Sequence, residues 1–289
     1  LVDLRFTSSL LMIALGVTTP EEDDLPPSVA DQPPRTRPLR VLLAEDSLVN
    51  QKLAVGLLKR RGHAVVVANN GKEALASLEL EKFDLVIMDV QMPEMDGLEA
   101  TIAIRAKEKQ TGAHVPIIAM TAHAMKGDRE RCLEAGMDKY VSKPIRAKQL
   151  FEVIEEMVGS SPEPEKAFEF PLPEGEGVTW SEALKAVRGD RQLLDVVVET
   201  ALEEAPRLIE AIHAAVAAGD PPALRLAAHT LKGSIRYFGQ GPAYHLAGRL
   251  EQMGREGQWE GAAEILAALE GEIAQVTSVL IDYQRQKGT

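Results

Sequence analysis

The sequence has one cysteine, Cys132, so it forms no internal disulfide. That cysteine falls in a helical pattern and reads as a small core hydrophobe. Long apolar runs are missing too. No stretch approaches the roughly 20 residues needed to cross a membrane, and the apolar segment Leu10 to Leu15 is far too short. Positive charge is in deficit: 32 Lys and Arg stand against 44 Asp and Glu, a net charge of -12. This balance argues against nucleic acid or an anionic membrane as the main partner. No Cys/His zinc spacing, no glycine-rich phosphate loop after a strand and no Gly-x-Ser-x-Gly elbow is found.

The chain has 289 residues, enough for two domains, with 45% hydrophobic content typical of a globular protein. It begins at Leu1, and residues 1–38 read as an N-terminal stub and linker. A short helix is expected to end on Gly16, followed by prolines and the acidic run Glu21 to Asp24. Residues 159–177, rich in Pro, Gly and Glu, read as a second linker that lets two domains move independently.

Between the linkers, residues 39–158 alternate. Apolar runs at Leu39 to Ala44, Ala64 to Ala68, Leu85 to Asp89, Pro116 to Met120 and Tyr140 to Ser142 read as strands. Helical patterns follow at Leu48 to Arg61, Gly71 to Leu80, Leu98 to Glu108, Lys126 to Ala135 and Arg146 to Val158. Five strands alternating with five helices imply a parallel sheet covered on both faces. Glu45, Asp46, Asp89, Thr121 and Lys143 all fall at the carboxyl ends of strands, so they converge on one rim. Packed carboxylates repel one another and need a hard divalent cation such as Mg²⁺. With the Thr121 hydroxyl and the Lys143 amine they are equipped for phosphoryl transfer, with Asp89 as nucleophile.

These residues resemble a response-regulator receiver domain. The matching elements are Glu45-Asp46, Asp89 with Met92-Pro93 and Asp96-Gly97, Met120-Thr121-Ala122, Tyr140 and Lys143-Pro144. The resemblance implies a flavodoxin-like sheet of order 2-1-3-4-5 and phosphorylation of Asp89. It implies Mg²⁺ held by Asp46, Asp89 and the Gln91 backbone carbonyl, with Glu45 acting through water. It also implies that Thr121 and Lys143 contact the phosphoryl oxygens, that Tyr140 switches with Thr121, and that Lys143-Pro144 is cis. Gln91 and His123 flank the pocket.

Residues 178–289 lack strand alternation and read as an all-α helical bundle. Helices are expected at Ser181 to Val187, Asp190 to Ala218, Pro222 to Phe238, Pro242 to Arg255 and Trp259 to Tyr283, with Pro206 bending or breaking the second. In Pro222 to Phe238 one stripe, Leu224, Ala227, Ala228, Leu231, Ile235 and Phe238, faces the core. The opposite face carries Arg225, His229, Lys232, Gly233 and Arg236, which puts His229 outward among cations, with Gly233 leaving room for a partner's backbone.

The run Ala228-His229-Thr230-Leu231-Lys232-Gly233-Ser234 resembles the core of the histidine phosphotransfer (HPt) domain, with Gly189-Asp190, Gly219-Asp220 and Leu250-Glu251 also similar. The resemblance implies that His229 carries phosphate, that Lys232 assists, and that Arg225, Gly233 and Arg236 face the partner. Ile235-Arg236-Tyr237 departs from the small or polar residues common there, which bears on partner preference. His213 and His245 read as structural. Together the two resemblances point to the C-terminal part of a hybrid sensor histidine kinase, cytoplasmic, without an ATP-binding kinase domain in this chain. The expected function is a phosphorelay from an upstream phosphohistidine to Asp89, then His229, then a downstream response regulator. Two rivals are a reverse-flow phosphate sink and a phosphorylation-gated docking switch.

Overall fold

The computed structural model describes residues 38–121, 126–158 and 177–287. The expected Gly16 helix, both linkers apart from their last residues, and His123 lie outside the described residues.

Five parallel strands alternate with five helices. They are β1 (Arg40–Ala44), α1 (Leu48–Arg60), β2 (Ala64–Ala68), α2 (Gly71–Leu80), β3 (Leu85–Asp89), α3 (Gly97–Thr111), β4 (Ile117–Thr121), α4 (Lys126–Ala135), β5 (Lys139–Ser142) and α5 (Ala147–Val158). The sheet order is β2-β1-β3-β4-β5, with Asp89 in register with Met120 and Thr121 with Ser142. Period-two alternation divides the strands between two cores. Val41, Leu43, Ile87, Ile118 and Met120 point to one face. Leu42, Val86, Met88, Ile117 and Ala119 point to the other, where Cys132 joins them as the small hydrophobe expected.

Local chemistry fixes where the helices begin. Asp96 and Glu99 form a capping box at the start of α3, so Asp96 is a structural cap. Ser47, Asn70, Asp190 and Asp220 each cap a helix by accepting a backbone N–H. Gly97 is required by crowding: a Cβ there would lie 2.0 Å from the Asp89 carbonyl oxygen, so only glycine lets the loop return to the strand end.

Five further α-helices make the bundle: α6 (Trp180–Val187), α7 (Arg191–Ala218), α8 (Pro221–Ile235), α9 (Pro242–Glu256) and α10 (Ala262–Lys287), with one 3₁₀ turn (Arg236–Phe238) after α8. Of the bend or break expected at Pro206, the break does not occur; the helix expected from Asp190 to Ala218 runs unbroken through it. Packing of Val197, Val198, Ala201, Ala205 and Ile212 into the core outweighs the one backbone hydrogen bond that proline removes.

The two domains expected to move independently pack together in this structure. All the described residues belong to one compact unit. The core on the α1 face of the sheet continues without interruption into the bundle, taking in Val49, Leu53 and Leu57 with Leu193, Leu194 and Val197. Gly56, in the middle of α1, lets the helices close: a Cβ there would meet a Leu193 methyl at 2.4 Å. Arg60–Asp190 and Arg146–Glu182 ion pairs flank the contact.

Candidate functional site

The parallel sheet delivers its strand ends to one rim, and the expected polar residues meet there. Lys143 Nζ lies 2.5 Å from Asp89 Oδ2 and 2.8 Å from Glu45 Oε2. Ligand oxygens of Glu45, Asp46 and Asp89 come within 4.8 Å of one another. The Gln91 N–H donates to Asp89 Oδ1 at 3.2 Å, which sets that backbone beside the acid. Thr121 is buried at the end of β4, and its carbonyl accepts from the Lys143 N–H at 2.7 Å. The Lys143-Pro144 bond is cis, as expected. Tyr140 is half-buried on β5 under the Arg129 guanidinium, 5.3 Å from its ring centroid.

The electrostatics follow from three acids and one amine in a buried space. Burial, then the Glu45 charge, push the Asp89 carboxyl well above the carboxylate range. The same two causes push Asp46 up to about 7. Burial works against the Lys143 ammonium, but the charges of Asp89, Glu45 and Asp46 outweigh it and hold the pKa above its ordinary value. Glu45 Oε2 is buried without a hydrogen bond, despite its charge contact with Lys143. Excess negative charge, oxygen-only donors and an unsatisfied carboxylate oxygen together fit a hard divalent cation.

The second part of the site is on α8. The stripe expected to face the core does so, from Leu224 to Phe238. The opposite face, however, is only partly solvated. His229 is only 5% exposed, and Thr230, Lys232 and Ser234 are buried as well. This stretch of α8 lies against the strand-end rim. Thr230 Oγ1 donates to Asp46 Oδ2 at 2.8 Å, and the Lys143 charge reaches His229 and lowers its pKa. Helix α8 is therefore buried on two sides, which an amphipathic pattern read in isolation could not reveal.

His229 Nδ1 lies 2.9 Å from Glu251 Oε1 on α9, and Lys232 pairs with the other oxygen of that carboxylate. Burial raises the Glu251 pKa, but the hydrogen bonds and charges of His229 and Lys232 outweigh it and hold the acid at about 2. An ionised Glu251 accepts a hydrogen bond from Nδ1–H, which favours the tautomer with its lone pair on Nε2. The His229 pKa is lowered, first by burial, with the Glu251 hydrogen bond opposing.

The docking face differs in membership from the one expected. Arg225 is exposed, and Arg236 lies over the Tyr244 ring at 5.8 Å. A Cβ on Gly233 would sit 3.8 Å from Asn50 Nδ2, ordinary contact, so glycine is not needed there to admit the facing surface. Hydrogen bonds across the contact run through Thr230, Ser234, Tyr237 and Glu204. Ser234 Oγ is 3.0 Å from Ser47 Oγ, and Glu204 Oε1 accepts from the Leu48 N–H at 2.6 Å. His213 and His245, expected to be structural, are surface residues; His213 pairs with Glu270 at 2.6 Å.

Sequence reasoning missed the roles of Glu251, Glu204, Ser234 and Tyr237. Glu251 had only its position beside Leu250 to mark it. Tyr237 had a signal in its bulk.

Residues 41–155 match the response regulator receiver domain, and residues 196–279 match the Hpt domain. Sensor histidine kinase GacS of Pseudomonas protegens is 39% identical over 210 residues, covering 71% of this chain and 23% of that protein. Hybrid signal transduction histidine kinase I of Dictyostelium discoideum is 52% identical over 122 residues, 40% of this chain and 7% of that protein. The chain spans under a quarter of the length of the curated relatives it matches, 24% in the sensor protein GacS of Pseudomonas syringae. Among solved structures, the receiver domain of sensor histidine kinase PA1611 from Pseudomonas aeruginosa, described with magnesium in its active site cleft, is 40% identical. It covers 43% of this chain and 99% of its own, with a TM-score of 0.39. A complex of the Saccharomyces cerevisiae phosphotransfer protein Ypd1 with the receiver domain of Ssk1 is 31% identical, over 43% of this chain and 90% of that one, with a TM-score of 0.42.

Proposed function

The chain is a response regulator receiver domain followed by an Hpt domain, and we propose that it passes a phosphoryl group between Asp89 and His229 as part of a phosphorelay. Residues 39–158 form the receiver, extended slightly beyond the matched region, and residues 178–289 form the Hpt domain, which takes in α6 ahead of its matched region. The observation that carries this reading is the apposition of the two acceptor sites: Thr230, next to His229, bonds to Asp46, next to Glu45 in the acidic pocket.

Asp89 takes the phosphoryl group as an acyl phosphate, and Lys143 and Thr121 contact its oxygens. Glu45, Asp46 and Asp89, with the Gln91 carbonyl, would hold Mg²⁺, which when bound neutralises charge on the phosphoryl oxygens. In transfer, the Nε2 lone pair of His229 forms the N–P bond while the Asp89 O–P bond breaks and its electron pair returns to the carboxylate. Nε2 carries no proton in this tautomer, so none has to leave, and Glu251 steadies the positive charge that develops on the ring. Lys232 shares the Glu251 carboxylate and adds a cation beside the incoming phosphoryl group. Tyr140 changes rotamer with Thr121 when Asp89 is modified. Upstream the donor is a phosphohistidine of a kinase domain, and downstream the acceptor is the receiver of a separate response regulator. Among the described residues no helix is long and apolar enough to cross a membrane.

Incubation with a radiolabelled small acyl phosphate and Mg²⁺ tests the reading. Label is expected on both residues in the wild-type chain, on Asp89 alone in His229→Gln, and on neither in Asp89→Asn. Equal labelling of His229 without Asp89 contradicts it.

A further inference from the structure

Tyr237 has a long side chain whose hydroxyl reaches from the bundle into the receiver. The side chain is 1% exposed. Its hydroxyl donates to Asn50 Oδ1 at 2.8 Å and accepts from the Ile145 N–H at 3.2 Å. Both partners belong to the receiver, on different walls of the acidic pocket. Asn50 sits in the first turn of α1, and its Nδ2 donates to Glu45 Oε1 at 2.9 Å. Ile145 lies two residues beyond Lys143, in the segment that carries the lysine to Asp89. One hydroxyl from the bundle thus ties the wall that orients an acid to the wall that orients the amine.

We infer that Tyr237 is a positioning residue through which docking of the helical bundle tightens the receiver's acidic pocket for a divalent cation. The inference rests on the phosphorelay reading of that pocket. The physical route is short and continuous: Tyr237 to Asn50 to Glu45 on one side, and Tyr237 to Ile145 to Lys143 on the other. A coupling of this kind is reciprocal, so an occupied pocket also favours docking. The bundle then engages most firmly the receiver state that is ready for chemistry.

The test uses the full chain and two ways of releasing the hydroxyl. Tyr237→Phe removes only the oxygen and keeps the ring in the core. Gly56→Trp drives a wedge against Leu193, away from the pocket, and separates the domains with Tyr237 intact. Magnesium affinity is measured by isothermal titration calorimetry, with thermal melts of the metal-free proteins alongside. Each variant is expected to weaken Mg²⁺ binding by about three- to tenfold, the scale of one lost hydrogen bond. Adding Tyr237→Phe to Gly56→Trp is expected to change nothing more. A purely structural Tyr237 would lower the melting temperature while leaving the magnesium affinity as it was, and that result overturns the inference. So does a Tyr237→Phe effect that persists in the wedged chain. If wild type moves label from Asp89 to His229 but Tyr237→Phe binds Mg²⁺ normally, only this inference fails. If wild type neither binds Mg²⁺ nor moves label, the phosphorelay reading fails with it.

Discussion

His229 is buried beside a lysine, and both circumstances favour its neutral form. The lowered pKa has a definite sign in linkage terms. As pH falls through the unfolded value of about 6.5, the unfolded chain takes up a proton that the folded one refuses. Stability from this group is therefore complete above that value and is lost progressively as pH falls below it. NMR titration of the His229 ring is expected to give a midpoint below 6.5, and Glu251→Gln is expected to lower it further, because the Glu251 carboxylate opposes the shift. A midpoint at or above 6.5 would contradict the account, showing that burial does not govern this ring. Glu251→Gln should also slow transfer onto His229 by about tenfold or more in single-turnover labelling, since a hydrogen bond to a charged group is worth about 1.5–3 kcal/mol. The receiver residues were legible in the sequence because each ends a strand, and parallel strands bring their ends together. Glu251 was not, because its meeting with His229 depends on how α9 crosses α8, a distance of 22 residues along the chain.

Between elements, the most informative contact is the start of α1. Its first turn has backbone N–H groups that need acceptors. Ser47 supplies one from the receiver, and Glu204, from the middle of α7, supplies another by reaching across to Leu48. Ser234 Oγ donates to the same Glu204 carboxylate at 2.5 Å. Burial raises the Glu204 pKa, so the charge there is costly and the acceptor is what matters. Glu204→Gln keeps an acceptor and should leave docking within about threefold of wild type. Glu204→Ala strands the Leu48 N–H, at a cost of about 1–3 kcal/mol. Amide hydrogen exchange at Leu48 reads the difference directly: it should rise about tenfold in the alanine variant and hardly at all in the glutamine one. Equal exchange in all three proteins would show that the cap is not used. The helices themselves were legible to within a few residues, since periodicity and caps are local. Whether Pro206 would break α7 was not, because the packing that overrides a proline comes from distant parts of the chain.

At the scale of the whole molecule, two domains read as separate bodies share one core and meet where Thr230, beside His229, reaches the acidic rim. Nothing in the sequence announced this. Asn50, Gly56, Ser234 and Glu204 have the composition of an ordinary solvated surface, and only their pairing across the contact gives them meaning. On the proposed function, the docked arrangement makes transfer a property of one chain rather than of a collision between two. The measurement that bears most directly on this is the rate at which label leaves Asp89 for His229, followed over a wide range of protein concentration. Transfer within one chain predicts a first-order rate independent of concentration, with a mixture of Asp89→Asn and His229→Gln chains labelling His229 far more slowly. A rate proportional to concentration, matched by that mixture, would contradict it.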